Sequence, residues 1–524
     1  MSRQQRPHPP RPDLPLDGVT PAALDESTTD EATGLGRIAP DAMAQALAVI
    51  AAVQDLPADH ADSVILRRAS ARIYKAHKIE RRVKARDAVS SADQAVLEAT
   101  ATGSPQRIDD ETAGIPLVSS APGATAGEYI KARPCYICKQ DYTTVDAFYH
   151  QLCPDCAAMS HAKRNARTDL TGRRALLTGG RAKIGMYIAL RLLRDGAHLT
   201  ITTRFPHDAV QRFAACEDSA DWIHRLKVVG IDLRDPAQVV SLASSVASAG
   251  HLDILINNAA QTVRRSPGAY SALVAGESQR LDPKLLDTGI ELLTFDRISD
   301  AHPSALAAPL AESPSPHVEA FGGHAVLAPS ELTRMSLLAG SASLERHKAG
   351  TAIDAGGLLP DVTHINSWTQ VVGAVDALEL LEVQLCNQTA PFILLNMLRP
   401  ALAASPARRT YVVNVSAMEG VFGRGYKGPG HPHTNMAKAA LNMMVRTSAG
   451  ELHDAHGILM TAVDTGWITD ERPHHTKIRL AQEGFHAPLD LVDGAARVYD
   501  PIVRGEAGED VYGVFLKDYR PHPW

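Results

Sequence analysis

From Leu170 onward, short uninterrupted apolar runs alternate with segments whose apolar residues return every three or four positions. The runs predict strands buried on both faces, and the stripes predict helices lying against them. Arg174–Thr178 reads as a first strand, followed by a Gly-containing turn and a helix over Ile184–Leu193. His198–Thr203, Lys227–Gly230 and Leu252–Ile256 read as the second, third and fourth strands, with helical patterns between them. Strand, helix and strand repeated in this way predict an α/β fold over residues 170–524, with a doubly wound parallel sheet covered on both faces. The stretch 261–368 breaks the alternation, and removing it leaves about one ordinary domain. It is expected to be a long insertion between the fourth strand and the next core helix, forming a partly ordered lid at the strand ends where such sheets bind ligands. Within it Ser330–Leu344 has helical composition, and His364, Asn366 and Trp368 stand where it rejoins the core, with packing roles expected.

Upstream of the core the pattern changes twice. Residues 1–40 carry the acidic, small-residue run Asp25–Thr33 and no sustained periodicity, so a disordered tail is expected. Over residues 41–129 a helical region and linker are expected. Ile65, Ala69, Ile73, Ala76, Ile79 and Val83 fall on one helical stripe, and Gly103–Gly127 is rich in Pro, Gly, Ser and Thr. Opposite the stripe, Arg67–Arg86 holds nine Lys or Arg against Glu80 alone, a face that suits an anionic partner or, more simply, solvent. Residues 130–168 contain Cys135-Tyr136-Ile137-Cys138 and Cys153-Pro154-Asp155-Cys156, two pairs separated by 14 residues. Two such knuckles aim four thiolates at one ion, so Cys135, Cys138, Cys153 and Cys156 are expected to close a structural Zn2+ site in a small zinc module, with Ala157–Arg167 as its following helix. His150 and His161 lie nearby, but four sulfurs already fill the shell.

Composition narrows the classes. With 45% hydrophobic and 21% charged residues, the 524-residue chain can build a sizeable core, which excludes fibrous and wholly disordered architectures. Lys and Arg number 53 against 59 Asp and Glu, so nucleic acid is not expected as the main partner. Six cysteines in this length do not make a disulfide scaffold. No run approaches the roughly 20 apolar residues of a membrane span, and the sequence opens without the apolar core of a signal peptide, so a soluble, cytoplasmic protein without membrane attachment is expected.

The first turn of the core reads Thr178-Gly179-Gly180-Arg181-Ala182-Lys183-Ile184-Gly185, which resembles the TGxxxGxG turn of the short-chain dehydrogenase/reductase superfamily, a Rossmann-type fold. A tight turn of this kind brings backbone against a pyrophosphate at a helix N-terminus. The resemblance covers about two thirds of the chain and is carried further by Asp232-Leu233, where the family holds the adenine, and by Asn257-Asn258-Ala259-Ala260, similar to its NNAG. Val463-Asp464-Thr465-Gly466-Trp467 resembles the turn that receives the nicotinamide carboxamide. It implies cofactor contacts from Thr178, Gly179, Arg181, Lys183, Ile184, Gly185, Arg204, Asp232, Leu233, Asn258, Ala259, Lys438, Thr465, Gly466 and Trp467. Lys183 stands at the motif's middle glycine, a position that strains a side chain yet places a cation beside the phosphates. The second strand ends in Arg204, where NAD-selective members carry an acid, so NADP is favoured over NAD.

The family's hydride chemistry uses Asn, Ser, Tyr and Lys. Asn387 and Lys438 occupy two of these roles, whereas Thr434 stands four residues before Lys438 in place of the tyrosine, and Ser416 precedes Ala417 at the usual serine position. A threonine hydroxyl is too weak an acid to replace a phenol of pKa about 10. His433, next to Thr434, and Tyr426, in the loop Gly423–His433, are candidate proton donors in its place. The resemblance thus implies an NADP-dependent oxidoreductase acting on a small carbonyl or alcohol substrate with a non-standard proton donor, and a homo-oligomer. The alternative is a non-catalytic NADP(H)-binding sensor or scaffold.

Overall fold

The computed structural model describes residues 38–105, 107, 123–265, 267–295, 297–303, 357–358, 363–425, 427–468 and 471–524. The expected tail, apart from residues 38–40, the Ser330–Leu344 helix and Tyr426 lie outside them. Two compact units divide the chain at residues 86 and 87. In the first, α1 (Pro40–Gln54) precedes α2 (Ala61–Glu98), whose last residues belong to the second unit. Ile65, Ile73, Ile79 and Val83 are exposed on α2.

The second unit opens with an antiparallel pair, β1 (Thr125–Pro134) and β2 (Asp141–Asp146), followed by α3 (Pro154–Arg164). Cys135 and Cys138 lie between the two strands, and Cys153 is the N-cap of α3 with Pro154 in its first turn, a position that costs no hydrogen bond. After them come β3 (Arg174–Leu177), α4 (Lys183–Arg194), β4 (His198–Thr203), α5 (Pro206–Ala214), β5 (Leu226–Gly230), α6 (Pro236–Ser248) and β6 (Ile254–Asn257). The insertion supplies α7 (Ser271–Glu277), α8 (Pro283–Leu286) and β7 (Glu291–Thr294). The core resumes with α9 (Ala377–Gln384), a π-turn over Leu385–Thr389, α10 (Ala390–Ala403), β8 (Thr410–Ser416), α11 (Pro432–His456), β9 (Ile458–Asp464), α12 (His474–Gln482), α13 (Leu491–Glu506), β10 (Phe515–Lys517) and β11 (Arg520–His522).

One sheet of nine strands runs β11-β10-β9-β8-β6-β3-β4-β5-β7, and all its pairings are parallel except β10 with β11. Strands β8 and β9 are buried at every position, so neither alternates between a buried and an exposed face. One face packs on α4, α5 and α13 through Ile188, Leu192, Phe213, Val498 and Ile502. The other packs on α6, α10 and α11 through Val239, Leu242, Leu394, Leu398 and Val445. The insertion departs from the expected lid in one respect: its β7 extends the sheet, pairing in parallel with β5 from Lys227 with Glu291 to Gly230 with Thr294. The edge amides and carbonyls of β5 thereby find partners.

Candidate active site

Every loop leaving the C-terminal ends of β3, β4, β5, β6, β8 and β9 opens onto one cleft of about 930 Å3. That position follows from topology, because parallel strands point all their C-terminal ends to one edge. In the first turn, Gly179 has φ +71°, and a Cβ on Gly185 would stand 1.9 Å from the Gly179 carbonyl oxygen, so both glycines are sterically required. Lys183 adopts φ +52°, the left-handed conformation that the motif's glycine adopts without strain. The turn is tied to the β6 loop: Thr178 Oγ1 accepts from Asn258 N and Ala259 N, each at 3.0 Å, while Asn258 Nδ2 donates to the Thr178 and Gly179 carbonyls at 3.0 and 3.1 Å. Thr178 serves behind the cleft; the other turn residues singled out in the sequence line it.

At the end of β4, Arg204 lies over the rings of Tyr270 and Phe205, 5.0 and 5.7 Å from their centroids, and donates to Tyr270 Oη at 3.3 Å. Among the described residues no carboxylate lies within ion-pair distance of it. Arg181 pairs with Asp208, which Arg212 also contacts at 2.6 Å, so two guanidiniums share one carboxylate. Asp232 is bound by Arg234 at 2.5 Å and by His302 of the insertion at 3.3 Å. Burial opposes its ionisation, but these two partners outweigh burial and hold its carboxyl well below the usual range.

Asn387 lines the cleft too, buried in the π-turn, a helix irregularity that recurs at functional sites. Its Oδ1 accepts from Gln261 N at 2.6 Å and its Nδ2 donates to Gln261 O at 3.0 Å, so both ends of the amide hold the loop after β6. Lys438 and Thr434 face the cleft one helical turn apart on α11. Lys438 Nζ donates to Val415 O at 2.7 Å, and burial pushes its ammonium down to about 8 against the opposing pull of Cys386 and Glu419. Thr434 Oγ1 donates to His431 O at 2.9 Å. Ser416, buried, lines the cleft beside Ala417 and gives its hydroxyl proton to Asn442 Oδ1 at 2.6 Å.

His433 does not join this group. It is buried with Nε2 3.3 Å from Glu379 on α9 and is not among the cleft residues, because the neighbours of Thr434 on a helix point about 100° away. The cleft also contains groups that sequence reading passed over: Asp464, Glu419, Cys386, Lys517, and Tyr136 and Lys139 from the first cysteine pair. Burial pushes Asp464 up to about 6, which Lys517 at 3.8 Å offsets in part. Its place directly before Thr465-Gly466 was the available signal. Trp368 lines the cleft as well, its ring stacked on His431 at 3.9 Å, while Asn366 Nδ2 donates to Glu471 O at 2.9 Å. The four sulfurs of Cys135, Cys138, Cys153 and Cys156 lie within 4.8 Å of one another. His150 and His161 are engaged elsewhere, with Thr102 and Asp146.

Residues 173–273 match the family model of the short chain dehydrogenases. A protein of Acanthamoeba polyphaga mimivirus, uncharacterized protein R665, is 30% identical over 382 residues, 71% of this chain and 71% of that protein. The chain belongs to the short-chain dehydrogenase family. It is by family an NAD(P)-dependent dehydrogenase/reductase. A probable oxidoreductase of Streptomyces antibioticus is 43% identical over 94 residues, 17% of this short-chain dehydrogenase and 30% of that protein's length. Among solved structures, the Pseudomonas aeruginosa RhlG/NADP active-site complex covers 66% of this chain and 95% of its own at 18% identity and a TM-score of 0.40. No described helix is long and apolar enough to cross a membrane.

Proposed function

We propose that this short-chain dehydrogenase binds NADP in the cleft and interconverts a carbonyl and an alcohol, with Lys438 rather than a tyrosine handling the proton. The observation that carries the reading is the convergence of the glycine turn, Arg204, Asn387, Thr434 and Lys438 on a single cleft. The glycine positions and the N-terminus of α4 are built to accept a pyrophosphate, and Lys183 adds a cation there. Arg204, with no carboxylate within ion-pair distance among the described residues, sets a guanidinium at the end of β4, which suits a 2′-phosphate and disfavours a bare ribose diol. NADP supplies hydride chemistry at a substrate carbon when bound. Lys438, still protonated at neutral pH, gives its proton to the substrate oxygen in reduction, and Thr434, whose own proton is committed to His431 O, offers lone pairs to the resulting hydroxyl. Asn387 is a positioning residue for the loop after β6.

The sulfur tetrad fits structural zinc. Zn–S bonds of about 2.3 Å in a tetrahedron put sulfurs about 3.8 Å apart, and Cys138 Sγ and Cys153 Sγ stand 3.6 Å apart.

Titration with NADPH and NADH by fluorescence, followed by a panel of carbonyls and alcohols, tests the reading. Binding with turnover is expected; failure to bind either dinucleotide overturns it. Arg204→Glu is expected to weaken NADPH about tenfold or more and NADH little, and equal loss for both would remove the phosphate contact. A second reading, a dinucleotide-binding protein without turnover, is favoured by Thr434 at the tyrosine position and by Ser416 bonded to Asn442. Tight binding with no turnover on any substrate selects it.

A further inference from the structure

The two cysteine pairs and the cofactor cleft are separate motifs in the sequence, yet one side chain belongs to both. Tyr136, between Cys135 and Cys138, accepts at its hydroxyl a hydrogen bond from Trp467 N at 2.9 Å, across 331 positions of chain. Trp467 closes the Thr465-Gly466-Trp467 turn. Gly466 in that turn has φ +78° and packs so closely on Leu489 that a Cβ would stand 2.6 Å from it. The Tyr136 ring and Lys139 line the cleft beside this turn, with Lys139 Nζ 5.0 Å and Lys517 Nζ 5.8 Å from the ring centroid.

The knuckle is fixed from behind. Tyr136 N donates to Gln151 O at 2.8 Å, Lys139 N to Cys135 O at 3.1 Å and Cys135 N to Gln140 O at 2.9 Å. Its apolar core continues without a break into Ile468, Leu489 and Leu491 behind the turn, and Ile184 of the phosphate turn packs against the same cluster. Arg164 of α3 binds Asp490 and Asp493 at 2.6 and 3.2 Å with all three buried, and Arg107 donates to Ala487 O and Leu489 O at 2.6 and 2.5 Å. The four sulfurs have no disulfide and lie within 4.8 Å of one another, so they are available to a metal beside Tyr136.

We infer that the cysteine module is a wall of the cofactor cleft, in which Tyr136 positions the 465–467 turn at the nicotinamide end, so that metal occupancy and dinucleotide affinity are linked. The inference rests on the zinc and NADP readings above. Linkage of this kind is reciprocal: what the metal does for the dinucleotide, the dinucleotide does for the metal. It also has a polarity. The direct bond from Tyr136 is to the 465–467 turn, so the coupling falls on the nicotinamide half.

The test uses the full chain, with metal content by mass spectrometry and binding of NADPH and of adenosine 2′,5′-bisphosphate, which lacks the nicotinamide end, by fluorescence and calorimetry. Tyr136→Phe removes one hydrogen-bond acceptor and is expected to weaken NADPH about fivefold while leaving metal content and bisphosphate affinity unchanged. Chelator-stripped protein is expected to lose NADPH affinity in the same direction, and saturating NADPH to slow zinc transfer to the chelator. If stripping unfolds the chain, Tyr136→Phe still decides. NADPH binding that is unchanged in Tyr136→Phe overturns the inference, and so does equal weakening of both ligands, which marks a merely structural residue. Native protein that binds NADPH but holds no metal overturns the linkage and leaves the cofactor reading standing. Zinc-loaded protein that binds neither ligand overturns the cofactor reading itself.

Discussion

Lys438 carries the sharpest consequence at the scale of a single residue. Its folded pKa of about 8 lies below the ordinary lysine value, because burial penalises the ammonium more than Cys386 and Glu419 favour it. The unfolded chain therefore binds this proton more tightly than the folded one, and the penalty is present below about pH 8 and relieved as pH rises from there toward the unfolded value. For catalysis the sign is opposite in the two directions. In the proposed role of Lys438 reduction draws on the ammonium, so kcat/KM with NADPH is expected to fall as pH rises through about 8, while alcohol oxidation is expected to rise over the same interval. Lys438→Met is expected to abolish the limb and lower turnover about 10²- to 10⁴-fold; a limb that survives the substitution assigns the proton to another group. Asp464, pushed up to about 6, is the neighbouring group that titrates lower, so Asp464→Asn is expected to remove any acid limb near that value while leaving the one near 8.

Among the elements, the turn joining β3 to α4 is the one most tightly specified by sterics. A methyl group on Gly185 meets a backbone oxygen, which cannot rotate aside as a side chain can. Gly185→Ala is accordingly expected to cost at least about 2 kcal/mol and to remove dinucleotide binding, read by denaturant melts and NADPH titration together. This turn was legible in the sequence because its chemistry is local, and so were β3 to β6, whose apolar runs are the direct imprint of burial on both faces. His198–Thr203 is read with the same ends in sequence and structure. Strand β7 was not legible: Glu-Leu-Leu-Thr is half exposed, and only its place beside β5 makes it a strand. Nor could the sequence orient His433, since which face of α11 meets the cleft is decided by packing of the whole helix against α9 and the sheet.

Across the whole molecule, the cysteine module and the sheet are joined by buried charge as well as by apolar contact, and neither half of that joint has a local signature. Arg164 comes from α3, while Asp490 and Asp493 form the capping box of α13, and Tyr149 Oη adds a 2.6 Å bond to Asp493. A buried arrangement of this sort gains little over apolar packing, because desolvation consumes most of the Coulombic attraction, but removing one partner is expensive. Arg164→Met removes the cation paired with both carboxyl groups and leaves only Arg497 acting on Asp493, so a loss of about 3–5 kcal/mol is expected in urea melts. The loss has a direction in pH. Below the carboxylate range both groups take up protons and the missing cation matters less; as pH rises through that range, each ionisation must be made against burial and against the other, so the deficit grows. Adding Asp490→Asn to Arg164→Met removes one of the two charges and is expected to restore part of the stability and flatten the pH dependence. Equal deficits at low and neutral pH would place the cost in lost packing of the Arg164 side chain over Phe148, which its guanidinium covers at 4.5 Å, rather than in its charge.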